Sequence, residues 1–133
     1  MSASWILRAQ DRNNYYLIEI NGQGHPVRAK RDTISFLVCR NGTLQEKSQL
    51  SLPFSIPKDS KGLEAWIEID LKARGNQMDL IARGMILRKY NKDQVTIGIF
   101  TDESNLFADG LLGFRASGSE EFDVAELIIQ PIQ

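Results

Sequence analysis

The stretch Leu63–Arg74, LEAWIEIDLKAR, constrains the fold more than any other part of the chain. Leu63, Ala65, Ile67, Ile69, Leu71 and Ala73 alternate with Glu64, Trp66, Glu68, Asp70, Lys72 and Arg74, and every residue of the second set except Trp66 is charged. A helix would gather Leu63, Trp66, Ile67 and Leu71 on one stripe and leave the remaining apolar residues scattered. Strict period-two alternation is the pattern of an antiparallel strand with one face buried and the other in water. Much of the remaining chain reads the same way. Tyr15–Ile20 (YYLIEI) is aromatic and β-branched and stops at Asn21-Gly22. Thr33–Cys39 (TISFLVC) is followed by Asn41-Gly42, a strong hairpin signal, and Leu44–Leu52 returns after it. Pro53–Gly62 carries Pro53 and Pro57 and reads as a loop. Met78–Ala82, Ile86–Tyr90, Val95–Phe100, Leu111–Ala116 and Phe122–Ile129 complete the predicted strands, with a polar, acidic loop over Thr101–Gly110. Roughly eight to ten short strands with Gly/Asn turns and no convincing helix point to an all-β sandwich or barrel.

Composition sets the other limits. A chain of 133 residues is the size of one domain, and with 42% hydrophobic and 25% charged residues it is ordinary globular material. Sixteen Lys+Arg against seventeen Asp+Glu give a net charge of −1, without the positive footprint of a nucleic-acid binder. Cys39 is the sole cysteine, which excludes an internal disulfide and a Cys-rich zinc site. His25 is the sole histidine, which excludes a His-based metal centre and leaves little for a Ser-His-Asp triad. No run approaches the ~20 apolar residues of a membrane span. The start, MSASWILRAQDRN, has too short an apolar run for a signal peptide and is interrupted by Arg8, so an exported form would carry its signal upstream. Cys39 sits in an apolar strand and reads as a small buried hydrophobe. Arg28, Lys30 and Arg31 read as a solvated loop beside Pro26.

Three patches taken in order resemble the concanavalin A-like lectin/glucanase jelly rolls. They are ILRAQDRNNYYLIEI near the start, WIEIDLKARGNQMDLIARG in the middle and FADGLLGFRASGSEEFDVAELII at the end. The nearest likeness is to the bacterial laminin-G-like group that includes the 3-keto-disaccharide hydrolase and domain-of-unknown-function proteins. The resemblance covers about Trp5 to Ile129 and implies a two-sheet antiparallel β-sandwich over residues 1–133, a segment of a larger protein. Asp11-Arg12-Asn13-Asn14 then forms the turn of the first hairpin, with one of Tyr15 and Tyr16 facing the core and the other the surface. Gly110 and Gly113 flank the penultimate strand, where glycine permits a bend or a close approach. Phe114 and Phe122 face the core. Domains of this type carry further strands before the first hairpin, so the resemblance implies a homodimer, or strands supplied by a longer chain, to cover an open edge.

Three sets of residues could carry chemistry. Glu64, Glu68 and Asp70 lie on one strand face; Glu68 and Asp70 are roughly 6.5–7 Å apart by strand rise, near the separation of glycosidase carboxylate pairs. Beside Lys72 and Arg74 they read equally as a solvated face. Asp102, Asn105 and Asp109, with Glu103 and Ser104, offer oxygen ligands of the kind Ca²⁺ takes, without the spacing of a known calcium loop. The third set is a sugar-binding surface of Trp66 with Tyr15, Tyr16, Asn13, Arg8 and Arg115, in which rings stack on sugar C–H faces and planar polar groups bind hydroxyls. The expected function is a non-catalytic binding or accessory module for a glycan. The alternatives are a glycoside-processing hydrolase using the carboxylates and a structural self-association domain.

Overall fold

The computed structural model describes residues 2–22, 32–55, 67–104, 106–107 and 109–115. Eight strands run in chain order: β1 (Ser2–Asp11), β2 (Asn14–Asn21), β3 (Thr33–Arg40), β4 (Thr43–Ser51), β5 (Glu68–Arg74), β6 (Gln77–Arg83), β7 (Gln94–Thr101) and β8 (Leu111–Arg115). They form a five-stranded sheet ordered β4-β3-β2-β1-β8 and a three-stranded sheet ordered β5-β6-β7. The pairings are antiparallel throughout. The all-β, two-sheet architecture expected from the sequence is the one observed. The last predicted strand, Phe122–Ile129, lies outside the described residues, as does the Phe114 side chain.

Alternation decides how the sheets meet. On β6 Met78, Leu80 and Ala82 are fully buried while Gln77, Asp79, Ile81 and Arg83 face outward. Ile69, Leu71 and Ala73 of β5 pack against the same core, so the period-two reading of this segment holds over its described part. Opposite them stand Tyr16, Ile18 and Ile20 of β2 and Ile34, Phe36 and Val38 of β3. Phe36 and Phe100 stack between the sheets with centroids 5.4 Å apart and planes 20° apart. Such offset ring pairs contribute about 0.5–1.5 kcal/mol beyond the area they bury.

β2 and β3 are buried on both faces, and this corrects one expectation. Tyr16 points into the main core, but Tyr15 is not at the surface. It joins Leu17, Leu37 and Cys39 in a second apolar cluster on the other face, with Ile6 and Ala9 packed against it. Further along that face the side chains turn polar. Glu19 accepts from the Asn21 amide at 3.0 Å and from the Ser4 hydroxyl at 3.5 Å, and Gln49 donates to the Ser35 hydroxyl at 3.5 Å.

A second correction concerns Ile86–Tyr90, which is not a strand. Met85–Tyr90 forms a 3₁₀ helix between Gly84, at φ 152°, and Asn91, at φ 57°. Adjacent Ile86 and Leu87 are both buried, which a half-buried strand cannot arrange.

Strand β1 is interrupted by a bulge. Its register with β2 breaks between Leu7 and Asp11, its register with β8 breaks between Ile6 and Ala9, and Arg8 takes φ 50°. Gly110, at φ +144°, lies against this bulge: a Cβ there would sit 2.5 Å from the Arg8 carbonyl carbon and 2.6 Å from the Ala9 oxygen. Gly98 is tight for a different reason, since its Cβ would meet the Phe100 ring at 2.6 Å. A ring can shift at the usual overpacking cost of about 1–3 kcal/mol, whereas the paired backbone at Gly110 cannot. Gly110→Ala is therefore expected to lower stability by more than Gly98→Ala, on the order of 3 kcal/mol or above with the added backbone strain. Urea unfolding of the two variants checks the order; equal costs would mean that the β1 bulge yields.

Candidate functional site

The carboxylates of β5 lie on the solvated outer face of the three-stranded sheet. Glu68 is exposed and stands opposite Arg83 in register. Asp70 forms an ion pair with Arg83, whose Nε and Nη2 also donate to Gln94 Oε1 at 3.2 and 3.0 Å. Glu64 and Trp66 lie outside the described residues.

Arg8, Tyr16 and Asp102 are brought together, with Tyr16 and Asp102 in the interior and Arg8 half-buried at its edge. Tyr16 is completely buried, with Phe36 and Phe107 rings 5.5 and 4.9 Å away. Its hydroxyl donates to Asp102 Oδ2 and accepts from the Phe107 amide at 3.1 Å. Asp102 is itself buried and accepts from the Ser104 amide at 3.1 Å, the Ser104 hydroxyl at 2.8 Å and the Leu106 amide at 3.0 Å. These donors occupy both carboxylate oxygens, so Asp102 ties down the loop rather than offering lone pairs to an ion. Arg8 completes the arrangement by donating from Nη1 to the carbonyls of Gly75 and, at 3.2 Å, of Phe107.

Of the other candidate ion ligands, Asp109 is exposed and its backbone carbonyl accepts from Gln10, while Asn105 lies outside the described residues. Among the described residues no group of three or more His, Cys, Asp and Glu is placed to hold a metal. Asn13 is exposed in the first hairpin turn, where its amide donates to Asp11 Oδ1 at 2.8 Å and its carbonyl accepts from Gly42 at 2.9 Å. Arg115 sits on β8 opposite Ser4.

Protonation follows from this geometry. Burial, reinforced by the bond to the Asp102 carboxylate, pushes the Tyr16 hydroxyl up to about 12 from an ordinary 10.0. Burial alone would raise Asp102, but the donors from Tyr16, Leu106 and Ser104 outweigh it and hold the carboxyl below its ordinary 3.8. Tyr16 therefore contributes a stability that is intact below pH 10.0 and lost as pH rises towards about 12. The Asp102 contribution is intact above pH 3.8 and lost as pH falls through its folded-state value. Tyr16→Phe leaves the Phe107 amide without its Tyr16 acceptor and Asp102 one donor short, at an expected cost of about 1–3 kcal/mol near neutrality. That cost should shrink between pH 10.0 and about 12, read as the gap between wild-type and variant urea curves. A gap independent of pH would remove Tyr16 as the titrating group.

An accessible cleft lies elsewhere. At the start of β3 and the end of β4 a cleft of about 310 Å³ opens, lined by Asp32, Ser51, Leu52, Phe54, Ser55 and Tyr90. Its volume is at the lower end of the ~300–1,000 Å³ typical of small-molecule sites. Phe54 is buried in the core, and the Leu52 amide bonds the Asp32 carbonyl at 2.9 Å. Tyr90 ends the 3₁₀ helix, and its hydroxyl oxygen accepts from the Ser55 amide at 3.1 Å. That bond fixes the ring at the cleft while 41% of the residue stays exposed. Tyr90 is the one aromatic among the exposed large apolar side chains of the described residues. Sequence reasoning missed it by placing it at the end of a strand. The signal that could have found it is the adjacent apolar pair Ile86-Leu87 between Gly84 and Asn91, which breaks the period-two pattern.

The cleft sets a fixed, half-exposed ring beside the Ser51 and Ser55 residues. Compared with known proteins, the chain matches no family model, no curated protein and no solved structure. No helix among the described residues is long and apolar enough to cross a membrane.

Proposed function

We propose that this chain is a non-catalytic binding module of the concanavalin A-like β-sandwich type and that its ligand is a carbohydrate held in the cleft beside Tyr90. The observation that carries the proposal is the Tyr90 ring, exposed on the cleft and braced by the Ser55 amide. An aromatic platform fixed before binding loses little conformational freedom when a sugar stacks on it. Ser51 and Ser55, both exposed, supply polar partners for hydroxyl groups. The two-sheet architecture and the three sequence patches that resemble this superfamily support the same reading, with carbohydrate preference as the analogy's contribution.

The alternatives draw less support. Asp70 is engaged by Arg83 on a solvated face, where a glycosidase pair would need a cleft and one carboxyl with a raised pKa. Self-association through β4 meets an obstacle: β4 is an edge of its sheet among the described strands, and Lys47 is the extra residue of its bulge. Lysines and bulges on an edge strand oppose edge-to-edge pairing.

A glycan-array screen followed by calorimetry tests the proposal. Tyr90→Ala is expected to weaken binding at least tenfold, or about 1.4 kcal/mol, while the folded baseline is retained. A folded protein that binds no glycan would sink the carbohydrate reading. Binding that ignores Tyr90→Ala would move the site off this cleft.

A further inference from the structure

The tip of the β3–β4 hairpin is an asparagine followed by glycine, the pairing least hindered for loss of the side-chain amide. We propose that Asn41 is a deamidation site that the native hairpin keeps closed, and that it opens only when the tip leaves the β1–β2 turn.

The reaction needs water and no other reagent. The Gly42 nitrogen loses its proton and attacks Cγ of Asn41. An N–Cγ bond forms, the Cγ–Nδ2 bond breaks, and Nδ2 takes up a proton and departs as ammonia. Water then opens the cyclic imide. Opening at Cγ leaves aspartate; opening at the backbone carbonyl leaves isoaspartate, whose main chain runs through Cβ. One water is consumed and one ammonia released.

Both residues are exposed, so water reaches them and geometry has to close the site. The imide ring is nearly planar, so the Gly42 nitrogen must stand on the same side of the Asn41 Cα–C bond as Cβ. The tip joins Arg40 to Thr43, which are register partners, with φ 54° at Asn41 and 81° at Gly42. Positive φ at both central residues of a two-residue loop marks a type I′ turn. Its first central residue has ψ of about +30°, the mirror image of type I. That value places the nitrogen nearly opposite Cβ. Ring closure therefore requires most of a half-turn about this bond, which the paired strands do not permit.

The neighbouring hairpin adds a second lock. The Gly42 N–H, whose proton must leave, donates to the Asn13 carbonyl at 2.9 Å. The Asn41 N–H donates to Asn14 Oδ1 at 3.0 Å, and Asn14 Nδ2 donates in turn to Asp11 Oδ1 at 2.9 Å. Asn13 Oδ1 lies 3.7 Å from where a Gly42 Cβ would stand, so the two tips are in contact. Reaction in the folded chain thus waits on local opening of the tip. An isoaspartate formed during such an opening adds a main-chain carbon to a two-residue loop, and the turn and the Gly42–Asn13 bond no longer close together.

Peptide mapping by mass spectrometry tests this on the full chain, in mildly alkaline buffer with and without denaturing urea. Asn41 is expected to deamidate at least about a hundredfold more slowly in the folded chain, in proportion to the fraction of time the tip is open. Asn14→Ala removes the acceptor of the Asn41 N–H. It is expected to speed the folded-state reaction about two- to tenfold, the worth of one hydrogen bond, and to leave the rate in urea unchanged. Equal wild-type rates with and without urea would overturn the proposal outright. A folded Asn14→Ala variant that reacts no faster than wild type would overturn the lock by the β1–β2 turn. Hydrogen exchange at the Gly42 amide gives the open fraction without any variant, so the test survives an Asn14→Ala chain that does not fold. A folded-state rate equal to that fraction of the urea rate supports the gate, and a rate well above it overturns it.

Discussion

One hydroxyl organises the sandwich. Tyr16 lies on a central strand, and its oxygen is carried into a core that excludes water. An unpaired hydroxyl there would cost about 1–3 kcal/mol, so the fold has to deliver partners to it. Asp102, just beyond β7, is the acceptor, and a buried carboxylate creates a larger demand than the one it meets. The chain answers with a tight loop in which the Ser104 and Leu106 amides and the Ser104 hydroxyl turn back on Asp102. The same loop returns the Phe107 amide to the Tyr16 oxygen. The Asp102 amide also bonds the Asn76 carbonyl in the β5–β6 turn, at 2.9 Å. The two sheets are thus joined by directional polar contacts as well as by apolar packing.

The β1 bulge serves the same junction. A non-glycine residue at positive φ costs on the order of 1–2 kcal/mol, and Arg8 accepts that conformation. What it gains is direction: the guanidinium reaches Gly75 and Phe107, one carbonyl from each segment that meets at Asp102. The displaced backbone then needs a neighbour with no side chain, and Gly110 is that neighbour, directly before β8 joins the sheet. Arg8 and Gly110 are separate in sequence but answer one geometric problem, which couples the bulge to the addition of the fifth strand.

Much of this was legible in the residues and some was not, for physical reasons. Alternation at Ile67–Arg74 and Gln77–Arg83 is read directly because one face of the small sheet meets water. β2 and β3 were legible as strands from their aromatic and β-branched content, but the fate of Tyr15 was not. Burial of a second face depends on what covers it, and no local pattern records that. Gly110 was legible as a position of close approach; what approaches it, a bulge about a hundred residues earlier, was not. Asp102 read as an ion ligand because acidic loops hold ions and cap buried hydroxyls with the same atoms. Only the distance to Tyr16 separates the two roles. Tyr90 was missed because a five-residue segment with apolar residues at its ends fits a strand as readily as a 3₁₀ turn until the neighbouring pair Ile86-Leu87 is weighed.

The division of labour along β3 follows from where these groups stand. Val38, the register partner of Tyr16, lies near one end of β3, and Asp32 of the cleft lies just before the other. Six residues of strand separate them, roughly 20 Å at ~3.3 Å per residue. The polar network at Tyr16 thus stands at one end of β3 and the cleft at the other. The cleft is framed by segments that follow regular structure, the chain after β4 and the last residue of the 3₁₀ helix, on a scaffold braced elsewhere. Of the side chains that line it, Ser51, Ser55 and Tyr90 lie outside the core cluster between the two sheets, whereas Phe54 belongs to it. A ring such as Tyr90, exposed and held by one backbone amide, is less constrained by folding there than the rings of the core.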